Sequence, residues 1–198
     1  MHATRQKTLI GIDEVGRGPI AGPVAVGVFV LLDPLAIKLF RGVKDSKQLT
    51  EEKREEWFAK ILDAQAEGAV DFSVTMKSEA VIDKRGLTYA IKTALNASLK
   101  ALNVRPADCR ALLDGGLKAP AEYLDQKTII RGDEKEKVIA LASICAKVTR
   151  DRFMRKMAKK YIGYGLETNK GYGTDEHYEA IRTLGLLPIH RRRFLVKK

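Results

Sequence analysis

The chain has 198 residues, with 36 lysines and arginines against 25 acids, a net charge of +11, and 45% hydrophobic and 31% charged residues. That balance excludes an intrinsically disordered chain, and no apolar run approaches the roughly 20 residues needed to cross a bilayer. The positive excess favours a polyanionic partner, because each phosphate neutralised by a cation releases condensed counterions.

Residues 1–7 are polar and lack the apolar stretch and cleavage site of a secretory signal, so the expectation is a cytoplasmic protein. Residues 8–13 predict a first strand, after which Gly16, Gly18, Pro19, Gly22 and Pro23 break the chain. Residues 24–32, β-branched and apolar throughout, predict a strand covered on both faces and ended by Asp33-Pro34. Thr50 followed by Glu51 and Glu52 predicts an N-cap, with Trp57, Phe58, Ile61 and Leu62 on one apolar face of the helix. Residues 70–76 alternate and predict a strand, whereas Leu87, Ile91, Ala94, Leu95, Ser98 and Leu102 recur at helical spacing. Residues 110–114 and 127–131 predict two short strands ended by glycines. Residues 138–161 predict a long helix, apolar nearly all round in its first half and therefore buried, and Thr174 predicts the cap of a last helix ending at Leu184. With no repeats or linkers, the pattern is α/β with one mixed sheet, a single unit over residues 1–198. Cys109 and Cys145 read as reduced thiols, Cys145 mainly packing.

The strongest local signal is Gly11-Ile-Asp-Glu-Val-Gly-Arg-Gly-Pro-Ile-Ala-Gly-Pro23. Asp13 and Glu14 stand at the end of an apolar strand, where a simple core wants neither. Adjacent strand residues point to opposite faces, so the pair serves one metal only if the chain turns there, which the following glycines permit. Gly16-Arg17-Gly18 lets backbone N–H groups approach a ligand closely. Asp114 and Asp133 end two more apolar strands. A solvated hairpin, a turn cap and a charge run are the competing readings of these acids. Jointly, three apolar strands are each expected to end in an acid, such ends can converge on one edge of a sheet, and hard divalent cations take oxygen ligands. Clustered carboxylates raise one another's proton affinity until a cation relieves the repulsion. Two cations about 4 Å apart activate a water and stabilise the leaving oxygen in phosphodiester hydrolysis.

Asn169-Lys170-Gly171-Tyr172-Gly173-Thr174 offers either a ring that stacks on a sugar or base, with Lys170 near phosphate, or a tyrosine that packs a loop. Asp45-Ser46-Lys47 is a phosphate contact or a turn. His2, His177 and His190 show no ligand spacing, and no metal is assigned to them. The basic runs over 150–160 and 190–198 fit a nucleic-acid footprint.

These motifs, together with Ala142-Ser143-Ile-Cys-Ala-Lys-Val-Thr-Arg-Asp151 and His190-Arg-Arg-Arg-Phe194, occur in the order found in the ribonuclease HII family, which the chain resembles over nearly its whole length. The resemblance implies a ribonuclease H-like fold, a mixed central sheet flanked by helices, with a short helical and basic C-terminal extension from about residue 165. It implies cleavage of RNA paired with DNA, and nicking of duplex DNA on the 5′ side of an embedded ribonucleotide. Asp13, Glu14, Asp114 and Asp133 would be the catalytic carboxylates holding Mg²⁺ or Mn²⁺. Gly16, Arg17 and Gly18 would read the ribose 2′-OH, and Tyr172 would stack on the neighbouring deoxyribose. Ser46, Lys47, Lys147 and Arg150 would lie near the phosphate backbone. Three positions depart from the family pattern: Glu134, which adds a negative charge beside the acids, Cys145 and Arg193.

A non-catalytic nucleic-acid binder, a DNA-junction nuclease and the sister ribonuclease HIII family compete with this reading. The last lacks the Gly-Arg-Gly string. No glutamine-led aromatic motif for a replication clamp stands at the C-terminus, and a monomer is the default expectation.

Overall fold

A computed structural model describes residues 7–43 and 46–195. The reading of Asp45 and the last part of the basic tail lie outside the described residues. Five strands form one sheet in the order β3-β2-β1-β4-β5: β1 (Thr8–Val15), β2 (Val24–Leu31), β3 (Val70–Lys77), β4 (Cys109–Asp114) and β5 (Gln126–Ile129). β1 pairs antiparallel with β2, and β2 with β3, while β4 runs parallel to β1 and β5 to β4. The helices are α1 (Glu51–Ala66), α2 (Glu79–Arg85), α3 (Leu87–Ala101), α4 (Gly132–Lys135), α5 (Lys137–Lys160), α6 (Leu166–Asn169), α7 (Asp175–Leu184) and α8 (Arg192–Leu195).

Strand alternation explains the two hydrophobic layers. Ile10, Ile12, Val26, Val28, Ala111 and Leu113 face one way and pack under α3. Phe29, Leu31 and Leu112 face the other way, against α1 and α5. α5 crosses the sheet centre so closely that a Cβ at Gly11 would stand 2.0 Å from the Val138 carbonyl, and one at Gly27 2.3 Å from that of Ala142. Residues 138–146 of it are buried without a break, as expected from the apolar run.

Thr50 caps α1 by accepting from the Lys53 N–H, and Thr174 caps α7 by accepting from His177. Trp57, Phe58 and Ile61 are buried as expected, but Leu62 is exposed. Asp33-Pro34 does more than end β2, since Asp33 accepts from Leu35 and caps a 3-10 helix over Pro34–Phe40. β3, at the sheet edge, is only half-buried beyond Val70, which is why its alternation is blurred. α6 and α7 follow α5 and gather around a small cluster of Ala21, Met154, Tyr164, Leu166, Ala180 and Ile189, whereas Phe194 of α8 packs against the layer under α3. An isolated bridge between Ala21 and His190 ties this extension to the loop after β1.

Candidate active site

β1 and β4 run parallel in a register that matches Ile12 with Leu113, so Asp13 and Asp114 follow side by side on the α5 face. Asp13 is almost fully buried, and its carboxyl is pushed up to about 8. Burial is the largest cause. Ser143 on α5 counteracts it with a hydrogen bond, while Glu14 and Asp114 add repulsion. No turn separates Asp13 from Glu14: β1 continues through Val15, which pairs with Ala25. The expectation of a turn there is therefore corrected, because ladder pairing with β2 keeps the strand extended. Glu14 leaves the sheet on the other side yet remains coupled to both aspartates at the strand ends. Its carboxyl is also raised, burial again leading, and Arg17 opposes the shift by donating to Oε1 at 2.7 Å.

Asp133 does not sit at a strand end. It lies in α4, the helical turn beyond β5, because Arg131 enters the left-handed region at φ 55° and turns the chain back. The Gly132 N–H donates to Asp114 Oδ1 at 2.6 Å, and the Lys47 ammonium holds Asp133 Oδ2 at 2.8 Å. Ser46, next to Lys47, meets Ser143 hydroxyl to hydroxyl at 2.8 Å. A closed chain of contacts thus joins Asp13, Ser143, the Ser46-Lys47 pair, α4 and Asp114. Among the described residues, no three acids already stand at metal-ligating separation. Glu134, the added charge, is engaged by the Arg131 guanidinium at 2.7 Å.

Tyr172 is 45% exposed, and a Cβ at Gly18 would stand 3.7 Å from its ring, so these two motifs form one surface although far apart in sequence. Gly16 has φ +93°, and a Cβ there would meet the Arg150 side chain at 2.4 Å, so no other residue fits.

Other expected contacts point elsewhere. Arg150 is fully buried, and its guanidinium donates to the carbonyls of Pro23, Lys170 and Ala21. It presents no donor to a phosphate, and that assignment is corrected. Lys170 is also buried, with its ammonium on the Glu167 carbonyl and beside Glu51. Lys147 is paired with Asp151, and the Ser46 hydroxyl is turned inward to Ser143. Lys47 keeps an exposed stem at the acid cluster.

Sequence reasoning assigned no individual role to Ser143, Arg191 or the two buried histidines. Ser143 lay in plain view inside an apolar helix, where a hydroxyl calls for a partner. Arg191 gave no signal, because a cation in a basic tail looks the same whether buried or solvated.

A model of the family described as "Ribonuclease HII" matches residues 10–197. Ribonuclease HII of Desulfitobacterium hafniense (strain Y51) is 44% identical over 186 residues, covering 94% of this chain and 68% of that protein. That of Acetivibrio thermocellus is 42% identical over 188 residues, covering 95% and 70%. Among solved structures, ribonuclease H2 from Pyrococcus horikoshii superposes with a TM-score of 0.73 at 31% identity, covering 94% of this chain and 93% of that one. A ribonuclease HIII solved in complex with Mn²⁺ shares the fold, with a TM-score of 0.67 at 23% identity, covering 98% of this chain and 66% of that one. The chain has the ribonuclease H-like fold and belongs to the ribonuclease HII family, endoribonucleases that hydrolyse RNA paired with DNA.

Proposed function

We propose that the chain nicks duplex DNA on the 5′ side of an embedded ribonucleotide, as well as cutting longer RNA–DNA hybrids, and leaves 3′-hydroxyl and 5′-phosphate ends. The observation that supports this most is the mutually repelling set of the buried Asp13 and the partly buried Glu14 and Asp114 at the ends of β1 and β4, with Asp133 tethered beside it. The donor set fits hard divalent cations, Mg²⁺ or Mn²⁺: every candidate ligand is a carboxylate oxygen, and Glu14 Oε2 is buried with no hydrogen-bond partner. When bound, two such ions would supply an activated water and charge neutralisation at the leaving oxygen.

The protein's own groups do the rest. Ser143 orients the Asp13 carboxyl, and the Gly132 N–H fixes Asp114. Arg17 holds Glu14 Oε1 and leaves Oε2 to a ligand. Gly16, Arg17 and Gly18 would take the ribose 2′-OH, the group that distinguishes RNA from DNA, while the exposed Tyr172 ring would stack on the adjoining deoxyribose. Lys47 would reach a phosphate near Asp133. We read residues 1–198 as one catalytic unit with a helical extension, acting as a monomer in the cytoplasm. Among the described residues, no helix is long and apolar enough to cross a membrane.

The test is a DNA duplex with one ribonucleotide, end-labelled, incubated with Mg²⁺ or Mn²⁺. The expected product is a single nick 5′ of that residue with a ligatable 3′-hydroxyl. Tyr172→Ala should impair this substrate about five- to hundredfold more than a continuous hybrid, aromatic stacking on a nucleotide being worth about 1–3 kcal/mol. Equal losses on both would remove Tyr172 from junction reading, and no metal-dependent cleavage of either would sink the proposal.

A further inference from the structure

Two arginines lie inside the molecule without an ion pair among the described residues. Arg150, in α5, and Arg191, just before α8, are both fully buried. Every nitrogen of their guanidinium groups points at a main-chain carbonyl. Arg150 donates from Nε to Pro23 at 2.9 Å, from Nη1 to Lys170 at 3.0 Å and from Nη2 to Ala21 at 3.2 Å. Arg191 donates from Nε to Gly22 at 2.9 Å, from Nη1 to Arg17 at 3.1 Å and from Nη2 to Gly16 at 2.7 Å. The Arg191 guanidinium also stands 5.2 Å over the Phe194 ring.

The six carbonyls are not scattered. Five belong to the loop between β1 and β2, and the sixth belongs to Lys170, two residues before Tyr172. Main-chain bonds complete the bracing: the Gly171 carbonyl accepts from Ile20 and Ala21, and Arg191 donates its own N–H to Ile20. Burying a guanidinium is expensive, and apolar side chains would fill the same space with less desolvation. What an apolar filling cannot do is fix carbonyl positions. A planar fork of five donors does so, with bonds roughly twice as strong as neutral ones.

We propose that Arg191 and Arg150 are positioning residues for substrate selection. They hold the Gly16-Arg17-Gly18 loop and the Tyr172 ring at a fixed separation, and so set how strongly a ribonucleotide–deoxyribonucleotide step is preferred over continuous RNA. This rests on the junction-reading roles proposed above for those two motifs. A sugar hydrogen-bonded on one side and stacked on the other engages both only when their spacing is held to about 0.5 Å. Asp13 and Asp114 are braced separately, through Ser143 and Gly132, and only Glu14 is held from the loop, by Arg17, so cleavage of a long hybrid depends less on that spacing than junction selection does.

The experiment compares kcat/KM for a single-ribonucleotide duplex with kcat/KM for an all-RNA strand paired to DNA, on the same preparation. The ratio cancels the fraction of enzyme that is folded, so it stays readable in destabilised variants. In Arg191→Lys and Arg150→Lys the ratio should fall about tenfold, the loss carried mainly by the single-ribonucleotide substrate. Tyr164→Phe is the control: it removes a hydrogen bond to the Gly185 carbonyl within the same extension without touching the loop, and should leave the ratio unchanged. A wild-type ratio that persists in both arginine variants, or that falls equally in the control, would overturn the positioning role alone. A wild type without any preference would overturn the junction reading and this inference with it.

Discussion

At Asp13 a carboxyl is held where its charged form is disfavoured, with an ionisation near 8 against an ordinary value of 3.8. Without divalent ions, the folded state therefore keeps a proton that the unfolded chain gives up from about pH 4 onward. The stability associated with that proton is fully present below pH 4 and is lost as pH rises through 8, at about 1.4 kcal/mol per unit of displacement. In chelated buffer, Asp13→Asn should melt above wild type, by a margin that widens from pH 4 to 8 and then levels off. The same variant should lose cleavage a thousandfold or more, on the order of 4 kcal/mol of transition-state stabilisation. Melting temperatures that do not separate with pH would mean the site is not strained. The acids were legible in the sequence because polar residues interrupted apolar strands. Arg150 was not, since neither its position in a basic run nor its residue type reveals that Pro23, Ala21 and Lys170 surround it.

The strands and the long helices follow from periodicity and caps, and their expected bounds differ from the observed ones by a residue or two. The short elements escaped. α2 and the 3-10 helix over Pro34–Phe40 are too short to establish a period, and α4 depends on the left-handed turn at Arg131. The C-terminal extension depends on a relay that spacing could not show. The Leu187 N–H donates to His190 Nδ1, His190 and His177 share a bond between their Nε2 atoms at 3.1 Å, and His177 Nδ1 meets the Tyr172 carbonyl at 2.8 Å. The outer bonds fix both tautomers, with His190 donating to His177. The relay is satisfied only while both rings are neutral. Burial, followed by the neighbouring His177, lowers His190 to about 4. Its contribution is present above pH 6.5 and is lost as pH falls through 4, the opposite trend to Asp13. His190→Gln should therefore show a shallower loss of melting temperature between pH 6.5 and 4 than wild type, and parallel curves would remove the relay from the acid response.

Over the whole molecule, the net charge of +11 overstates the surface available to nucleic acid. Arg150 and Arg191 are consumed inside, and Arg152 and Arg155 pair with Glu55 on α1. Of the basic run on α5, Lys156, Lys159 and Lys160 remain exposed. What the sheet topology supplies is the meeting of β1 and β4 at neighbouring positions, with α4 folded back over the Asp114 carboxylate. The sequence allowed that meeting but could not show it, because parallel register is decided by a crossover through α1, β3 and α3 rather than by any local pattern. The direct test is calorimetric titration of Mn²⁺ into wild type and Asp13→Asn, run in buffers of different ionisation enthalpy. Wild type should bind Mn²⁺ with release of protons and with an affinity that climbs as pH approaches 8, and the variant should lose most of that affinity. Equal Mn²⁺ affinity in both proteins, with no proton release, would contradict a metal centre built on these acids.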